Sequence, residues 1–416
     1  MRSRDELFGV RVPDSLDEDA AQRDTASRFP HTWYPEFSPR FGRRDLLGLR
    51  DRHFLLTYDR ADGLFLGAGA DIPRSLFEDT RMQGHVGFGY AFGSHYWQVS
   101  GGGRYDLLDV ETPLRLSAEG HILTDTRDAW KMDVVENTLY AALAGGDARD
   151  YFQRRGFSVG IEKYLLPRVS IAAEYRHDRY RSSRREVGWS LFGPEQPFRE
   201  VPPVADAALR SFAFTLQADY LSLRSWSEPQ FGIAIEAELG SGEDRPDDLE
   251  KNLRTFDMQS FVVDARLKTA VIPGVLWLAL RARAGATTSD GATLRDGLPQ
   301  RWFTIGGVGT LPGFPDNEFA GNRMLLVNTD LLFRPIASGI GRNLRIIVSN
   351  DAGAVSVAGP DDRDDPFTIG PASISDWKYS TGIYLGAPAA RFRIGVAWRT
   401  DRMESPRFVM RLSETF

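Results

Sequence analysis

The sequence predicts an all-β chain of about sixteen long antiparallel strands. Three observations predict it. Period-two alternation recurs from about residue 58 to the C-terminus, many alternating segments run to ten residues or more, and one face is free of charge in strand after strand.

The alternating segments follow one another along the chain. Leu114, Leu116, Ala118 and Ile122 alternate with Arg115, Ser117, Glu119 and His121. Phe157, Val159 and Ile161 oppose Ser158, Gly160 and Glu162, and Val169, Ile171, Ala173 and Tyr175 oppose Ser170, Glu174 and Arg176. Phe212, Phe214 and Leu216 oppose Ser211, Thr215 and Gln217, while Phe231, Ile233 and Ile235 precede Glu236 and Glu238. Leu276, Leu278 and Leu280 oppose Trp277 and Arg281, and Phe392, Ile394, Val396 and Trp398 oppose Arg391, Arg393 and Arg399. Counted this way, strands lie near 58–72, 82–94, 96–108, 114–125, 155–166, 168–181, 210–224, 229–241, 256–270, 274–287, 301–307, 323–334, 343–356, 377–387, 391–400 and 406–416.

Composition removes several alternatives. The 416 residues are 42% hydrophobic and 26% charged, with a net charge of -6, so no basic field for nucleic acid exists. With no Cys, thiolate metal sites, thiol nucleophiles and disulfides are all excluded. The longest apolar run, Ala270 to Leu280, contains a Pro and a Gly, so no helix is expected to span a bilayer. The mean hydropathy of −0.33 suits a soluble protein, but it averages over two unlike faces. A tilted strand of about 9–11 residues crosses a bilayer. Sixteen such strands enclose too wide a space for side chains to fill, so the charged face lines a wet lumen and the apolar face meets lipid. The expected fold is therefore a sixteen-stranded antiparallel transmembrane β-barrel over 58–416, after a lead-in or linker over 1–57. Met1 to Asp14 carries no apolar core with a cleavage site, so no secretory signal is read there.

Two stretches break the alternation. Residues 127–152 read as a short helix or two outside the wall, and 183–209 as a long ordered loop. Acidic clusters at Glu243–Glu250 and Asp361–Asp365 read as solvated loops.

Residues 301–335, RWFTIGGVGTLPGFPDNEFAGNRMLLVNTDLLFRP, resemble one region of the BamA/TamA superfamily of outer-membrane barrels, the bacterial surface-antigen type. The motif residues are Gly306, Gly307, Leu311, Pro312, Gly313, Phe314 and Gly321, followed by Asn328-Thr329-Asp330 and Phe333-Arg334-Pro335. Asp351-Ala352-Gly353 is similar to that family's Asp-x-Gly. The C-terminal alternation of Phe408, Met410 and Leu412, ending on Phe416, resembles the terminal signal of outer-membrane barrels.

The resemblance implies a cell outer-membrane location and a loop, 308–322, folded into the lumen. It also implies a weak seam between the first and last strands. In the family an Arg on the loop pairs with the Asp of Asp-x-Gly. Here Pro312 takes the Arg position, so Asp351 is expected to find Arg345, Arg334 or Arg323 instead. Gly67 and Gly69, with Gly63, are read as belonging to strand one, where they weaken the seam or ease curvature. No docking repeats are read before residue 58. The implied role is insertion or translocation of proteins or lipids, with membrane lipids and unfolded clients or periplasmic factors as partners. The alternative is a passive pore or structural anchor.

The strand count carries a consequence for topology. It puts the tight connections Leu165–Arg168 and Ile272–Gly274 at the same end as the motif loop, and 127–152 and 183–209 at the other. Either the count slips in the first half, or the elaborations are periplasmic, which is the reading adopted.

No enzyme is read from the motifs. Gly307-x-Gly309-x-x-x-Gly313 lacks the Lys-Ser/Thr of a phosphate loop. Gly188 to Gly193 around Ser190 is one residue too long for a nucleophile elbow. The six His residues have no metal spacing, and His177-Asp178 is a lone pair on opposite strand faces, so neither metal nor cofactor is expected.

Overall fold

A computed structural model of the chain describes residues 54–72, 81–107, 112–193, 198–220, 229–244, 254–290, 298–336, 341, 344–357, 376–387 and 392–412. Residues 1–53 of the expected lead-in, the Asp361–Asp365 cluster and Phe416 lie outside the described residues.

Alternation becomes strand throughout. The first strands are β1 (Phe54–Asp59), β2 (Gly63–Ile72), β3 (Met82–Ala91), β4 (Tyr96–Asp106), β5 (Leu114–Asp125) and β6 (Phe152–Leu166). Next come β7 (Val169–Ser182), β8 (Ala207–Asp219), β9 (Gln230–Asp244), β10 (Arg254–Ile272) and β11 (Leu276–Asp290). Short β12 (Phe303–Ile305) and β13 (Phe319–Gly321) precede β14 (Arg323–Phe333), β15 (Arg345–Ser356), β16 (Lys378–Ala387), β17 (Phe392–Arg399) and β18 (Arg407–Arg411). Sixteen of these form one antiparallel sheet in chain order, β1 to β11 and then β14 to β18, while β12 and β13 pair only with each other.

The expected first strand, 58–72, is a hairpin. Asp59 accepts from the Ala61 and Asp62 amides at 3.0 and 2.8 Å, and this side-chain turn reverses the chain between β1 and β2. Gly67 and Gly69 therefore lie on β2, one strand in from the edge. Gly67 pairs with Leu55 on one side and Gly89 on the other, and Gly69 opposes Gly87.

The expected strand at 301–307 is not in the wall, since β11 pairs directly with β14. Removing it reverses the topology expected from the count. The tight turns at 167–168 and 273–275 share one end, and the described residues of 126–151, 183–193, 198–206 and 298–322 lie in connections at the other. The slip arises because β12 alternates like a wall strand but spends its pairing on β13.

The sheet is inside out relative to a soluble protein. On β8, Phe212, Phe214 and Leu216 are exposed while Leu209, Ser211 and Ala213 are buried. Buried polar side chains include Arg281, Arg301, Glu238 and Asp264, whereas Val86, Phe88, Phe157, Ile171, Phe231, Ile383 and Leu385 are exposed. Outward aromatic residues cluster at both strand ends. Tyr90 lies 5.2 Å from Phe92 and 5.0 Å from Trp97 at one end, and Tyr220 stacks on Phe231 at 4.8 Å at the other. Such girdles mark the two interfaces of a membrane barrel.

Candidate functional site

Segment 126–151 lies inside, not outside, the wall. It contains the helix α1 (Val134–Leu139), capped by the Asp133 carboxylate on the Val135 amide, and a π-helical turn over Tyr140–Ala144. Arg127, Asp128, Lys131, Met132, Glu136, Asn137 and Ala141 are all buried. The mixed apolar spacing hid this, because the segment buries charged groups against partners rather than an apolar stripe against a core.

Each charge meets a partner from another element. Arg127 stands over the Phe303 ring at 4.1 Å and donates to Ser260 of β10 at 3.3 Å. Trp130 faces Arg281 and Arg283 of β11 at 4.5 and 4.3 Å, and both guanidinium groups pair with Asp264 of β10. The Lys131 ammonium donates to Asp128, Thr304 and Asn317 at 2.7, 2.5 and 2.7 Å. Burial alone would raise the Asp128 carboxyl, but the Lys131 ammonium beside it holds it below the ordinary carboxylate value. Burial dominates at Asp316, whose carboxyl is raised while it accepts from Tyr140 at 3.0 Å.

The motif loop is built on this bed. Gly306 and Gly307 leave β12 with φ of 116° and 78°, a left-handed path that side chains resist. The Gly307 amide donates to the Leu311 carbonyl at 3.0 Å, and the Phe314 amide donates to the same carbonyl at 3.0 Å. Leu311, Pro312, Gly313 and Phe314 are all buried. Gly313 lies so close to the Trp398 backbone of β17 that a Cβ would overlap it, and its amide donates to Ser380 of β16 at 2.8 Å. The Arg399 guanidinium covers the Phe314 ring at 4.3 Å. Gly321 closes the loop opposite Phe303, and Gly353 of β15 leaves room for Ile305.

Asp351 meets Asn328 rather than an arginine. The Asn328 amide donates to Asp351 at 2.8 Å and to the Thr310 carbonyl at 2.7 Å, tying loop to wall. Arg345 instead lies over the Trp277 ring at 4.8 Å and donates to the Leu344 carbonyl at 2.9 Å. The motif marks Asn328 in the sequence, but its role as the partner of Asp351 comes only from their register across β14 and β15.

A second link holds the loop's root. Arg301 donates two bonds of 3.0 Å to Glu238 of β9 and one of 3.1 Å to Tyr180 of β7. The motif residues from Gly306 to Gly321, Asp351 and Gly353 are thus brought together. On β18, Phe408 and Met410 face outward opposite Val396 and Ile394, away from that cluster. His121 and Arg154 both pair with Asp178, at 2.8 and 3.3 Å, while His177 packs on Phe157 at 5.6 Å. Among the described residues no group of three His, Asp or Glu side chains is placed to hold a metal ion.

An apolar outward face with a charged interior is the distribution that lipid imposes on a sheet. The fold resembles that of outer-membrane β-barrels. BamA from Haemophilus ducreyi lacking POTRA domains 1–3 matches with a TM-score of 0.55 at 12% identity, over 95% of this chain and 76% of that one. CdiB from Escherichia coli matches with a TM-score of 0.42 at 13% identity, over 85% of this chain and 60% of that one. The siderophore receptor PiuA from Acinetobacter baumannii has a TM-score of 0.36 at 11% identity, over 82% of this chain and 55% of that one. No protein-family model and no curated protein matches the chain. The BamA likeness at this identity is one of fold. Together with the exposed apolar band it makes the protein a multi-pass outer-membrane β-sheet protein.

Proposed function

We propose that this chain is a sixteen-stranded barrel of the BamA/TamA type that aids insertion or translocation of proteins or lipids at the outer membrane. The role is non-enzymatic. The observation that carries this reading is the docked loop. Gly306 to Phe314 turns into the interior, seats Gly313 on the Trp398 backbone, and is tied to Asp351 through Asn328. The proposed organisation is a lead-in followed by a barrel that begins with β1 at Phe54, four residues before the boundary of 58 expected from the sequence, with Phe408, Met410, Leu412 and Phe416 as the C-terminal signal and a seam between first and last strands. Short turns at one end and long in-folded segments at the other match the periplasmic and outer ends of such barrels.

On this reading the polar face of the lower strands forms a vestibule open toward the periplasm. Glu162, Glu174, Thr215 and Gln217 line it half-buried, while residues near the long-segment end of the same strands, such as Arg154, Asp178 and Ser211, are buried. Membrane lipids, unfolded outer-membrane proteins and periplasmic factors are the proposed partners. Pro312 at the Arg position favours a second reading, a structural anchor that has lost assembly activity. The packed interior around Trp130, Arg301 and Phe314 weighs against a passive open pore.

Reconstitution in liposomes separates these readings. Assembly of an unfolded client porin by the native chain, lost on Gly313→Leu, supports the first. No assembly together with steady ion conductance would sink it in favour of a pore, and neither activity would leave the anchor.

A further inference from the structure

β1 and β18 are the two ends of the sheet, and among the described residues no backbone pairing joins them. Both are held by the same helix. On the β18 side, the Leu412 amide donates to the Glu136 carboxylate at 3.0 Å. Arg411 donates to the same carboxylate at 3.1 Å and to the Lys131 carbonyl at 3.0 Å. On the β1 side, the Tyr58 amide donates to the Thr138 hydroxyl at 3.3 Å. Backbone donors from both edges therefore end on side chains two residues apart on α1. Arg407, at the other end of β18, lies beside Tyr140 and Asp316.

The same region shows large apolar side chains to its surroundings. Leu139, Trp189, Leu191 and Phe192 are exposed, Phe192 by 79%. They are not a loose loop. The Leu191 and Phe192 amides donate to the Ala142 and Leu143 carbonyls at 2.8 and 2.9 Å. The Tyr58 hydroxyl donates to the Trp189 carbonyl at 2.7 Å, with the two rings edge to face at 6.3 Å. Exposed apolar side chains also stand on both edge strands, Leu56 on β1 and Phe408 and Met410 on β18, with Leu64 on neighbouring β2. Large apolar side chains exposed on held backbone mark a binding surface, and here they stand on the element that bonds both edges of a sheet whose outer face meets lipid.

We propose that α1 and residues 189–193 form an insert that seals the seam between β1 and β18. It bonds both edges and presents Leu139, Trp189, Leu191 and Phe192 to membrane lipid. The occupant of this surface is the acyl and interfacial region of the bilayer, where Trp and Phe are favoured. Among the described residues, a seam closed this way parts on the β18 side by releasing Arg411 and Leu412 from Glu136 and Arg411 from the Lys131 carbonyl, with no strand ladder to break. The inference rests on the membrane reading of the sheet and not on client insertion.

The absence of native Cys makes the test clean. In intact outer membranes, E136C with L412C and T138C with Y58C are expected to cross-link on oxidation, and L56C with M410C is not. A cross-link between β1 and β18 with none to the helix overturns the insert. In liposomes of phosphatidylethanolamine and phosphatidylglycerol, a photoactivatable phospholipid is expected to label residues 189–193 of the native chain. Nitroxides on L191C and F192C are expected to relax with oxygen more than with a water-soluble nickel chelate. Labelling confined to the strands, or relaxation dominated by the chelate, overturns the lipid contact. These readouts need no client, so a chain that inserts no porin can still pass or fail them.

Discussion

Asn328 and Asp351 face each other across β14 and β15, and one amide group serves both wall and loop, donating at 2.8 Å to Asp351 and at 2.7 Å to the Thr310 carbonyl. Both residues are buried. Replacing Asn328 by Leu removes the donor from a buried carboxylate and a buried carbonyl at once, a loss of about 1–3 kcal/mol. The expected result is a lower midpoint for heat-modified migration and faster proteolysis between Gly306 and Phe314. Because much of the cost lies in a buried Asp351 carboxyl left with fewer donors, adding Asp351→Leu to Asn328→Leu is expected to recover part of the loss. A double variant less stable than the single would show that Asn328 acts elsewhere.

The loop's root offers a sharper test. Arg301 and Glu238 are each 1% exposed at the side chain, so neither can exchange its partner for water. Arg301→Ala leaves Glu238 charged and buried beside Arg176, with about 3–5 kcal/mol expected for breaking such a pair. Replacing both Arg301 and Glu238 by Leu is expected to cost much less than the sum of the single changes. Denaturant midpoints of the four proteins in the cycle measure this directly. Additive losses would mean the two side chains are not coupled.

These two pairs also show which parts of the molecule the sequence made legible. Outward residues such as Phe212, Phe214 and Leu216 were readable because lipid selects one face by polarity alone, whatever the neighbours are. The β12 error came from the same rule, since Phe303 and Ile305 alternate but pack inside against Leu311 and Phe314. Gly306, Gly307 and Gly313 were readable because backbone geometry demands glycine there. The partners of Asn328 and the role of Glu136 were not, because each acts through a residue 18 to 276 positions away that only the folded register supplies. Segment 126–151 was misplaced for a related reason. Its Asp128, Lys131 and Asn137 look like a solvated face until Thr304, Asn317 and Asp147 are brought to them.

Docking of that segment depends on pH through Asp128. Burial opposes its charge, but Lys131 at 2.7 Å overrides burial and holds the folded-state carboxyl below its ordinary value. A depressed carboxyl contributes stability that is present above the ordinary value and is lost as pH falls through the lowered one. Asp316, raised by burial, works in the opposite sense and gains on protonation, so it partly offsets the loss. Hydrogen-exchange protection over residues 126–150, taken relative to the intrinsic exchange rate at each pH, is therefore expected to change little from pH 7 to about 5 and to fall below about pH 4. Asp128→Asn is expected to flatten this acid limb. An unchanged limb in that variant would assign the transition to another group.

The membrane reading predicts a contrast between adjacent residues on β8. Phe214 is 50% exposed on the apolar face, whereas Thr215 points inward opposite Glu236. A charge at the lipid face near mid-strand costs about 2–4 kcal/mol, while one on the lumen face is tolerated. Phe214→Arg is expected to lower the refolding yield into liposomes and the denaturant midpoint. Thr215→Arg, one residue on, is expected to refold like the native chain, since its guanidinium enters a polar lumen beside a carboxylate. In a water-soluble sheet the order would reverse, because Arg at 214 would face water and Arg at 215 a core. Equal refolding of both variants, or the reversed order, would count against the lipid-facing assignment of the outer band.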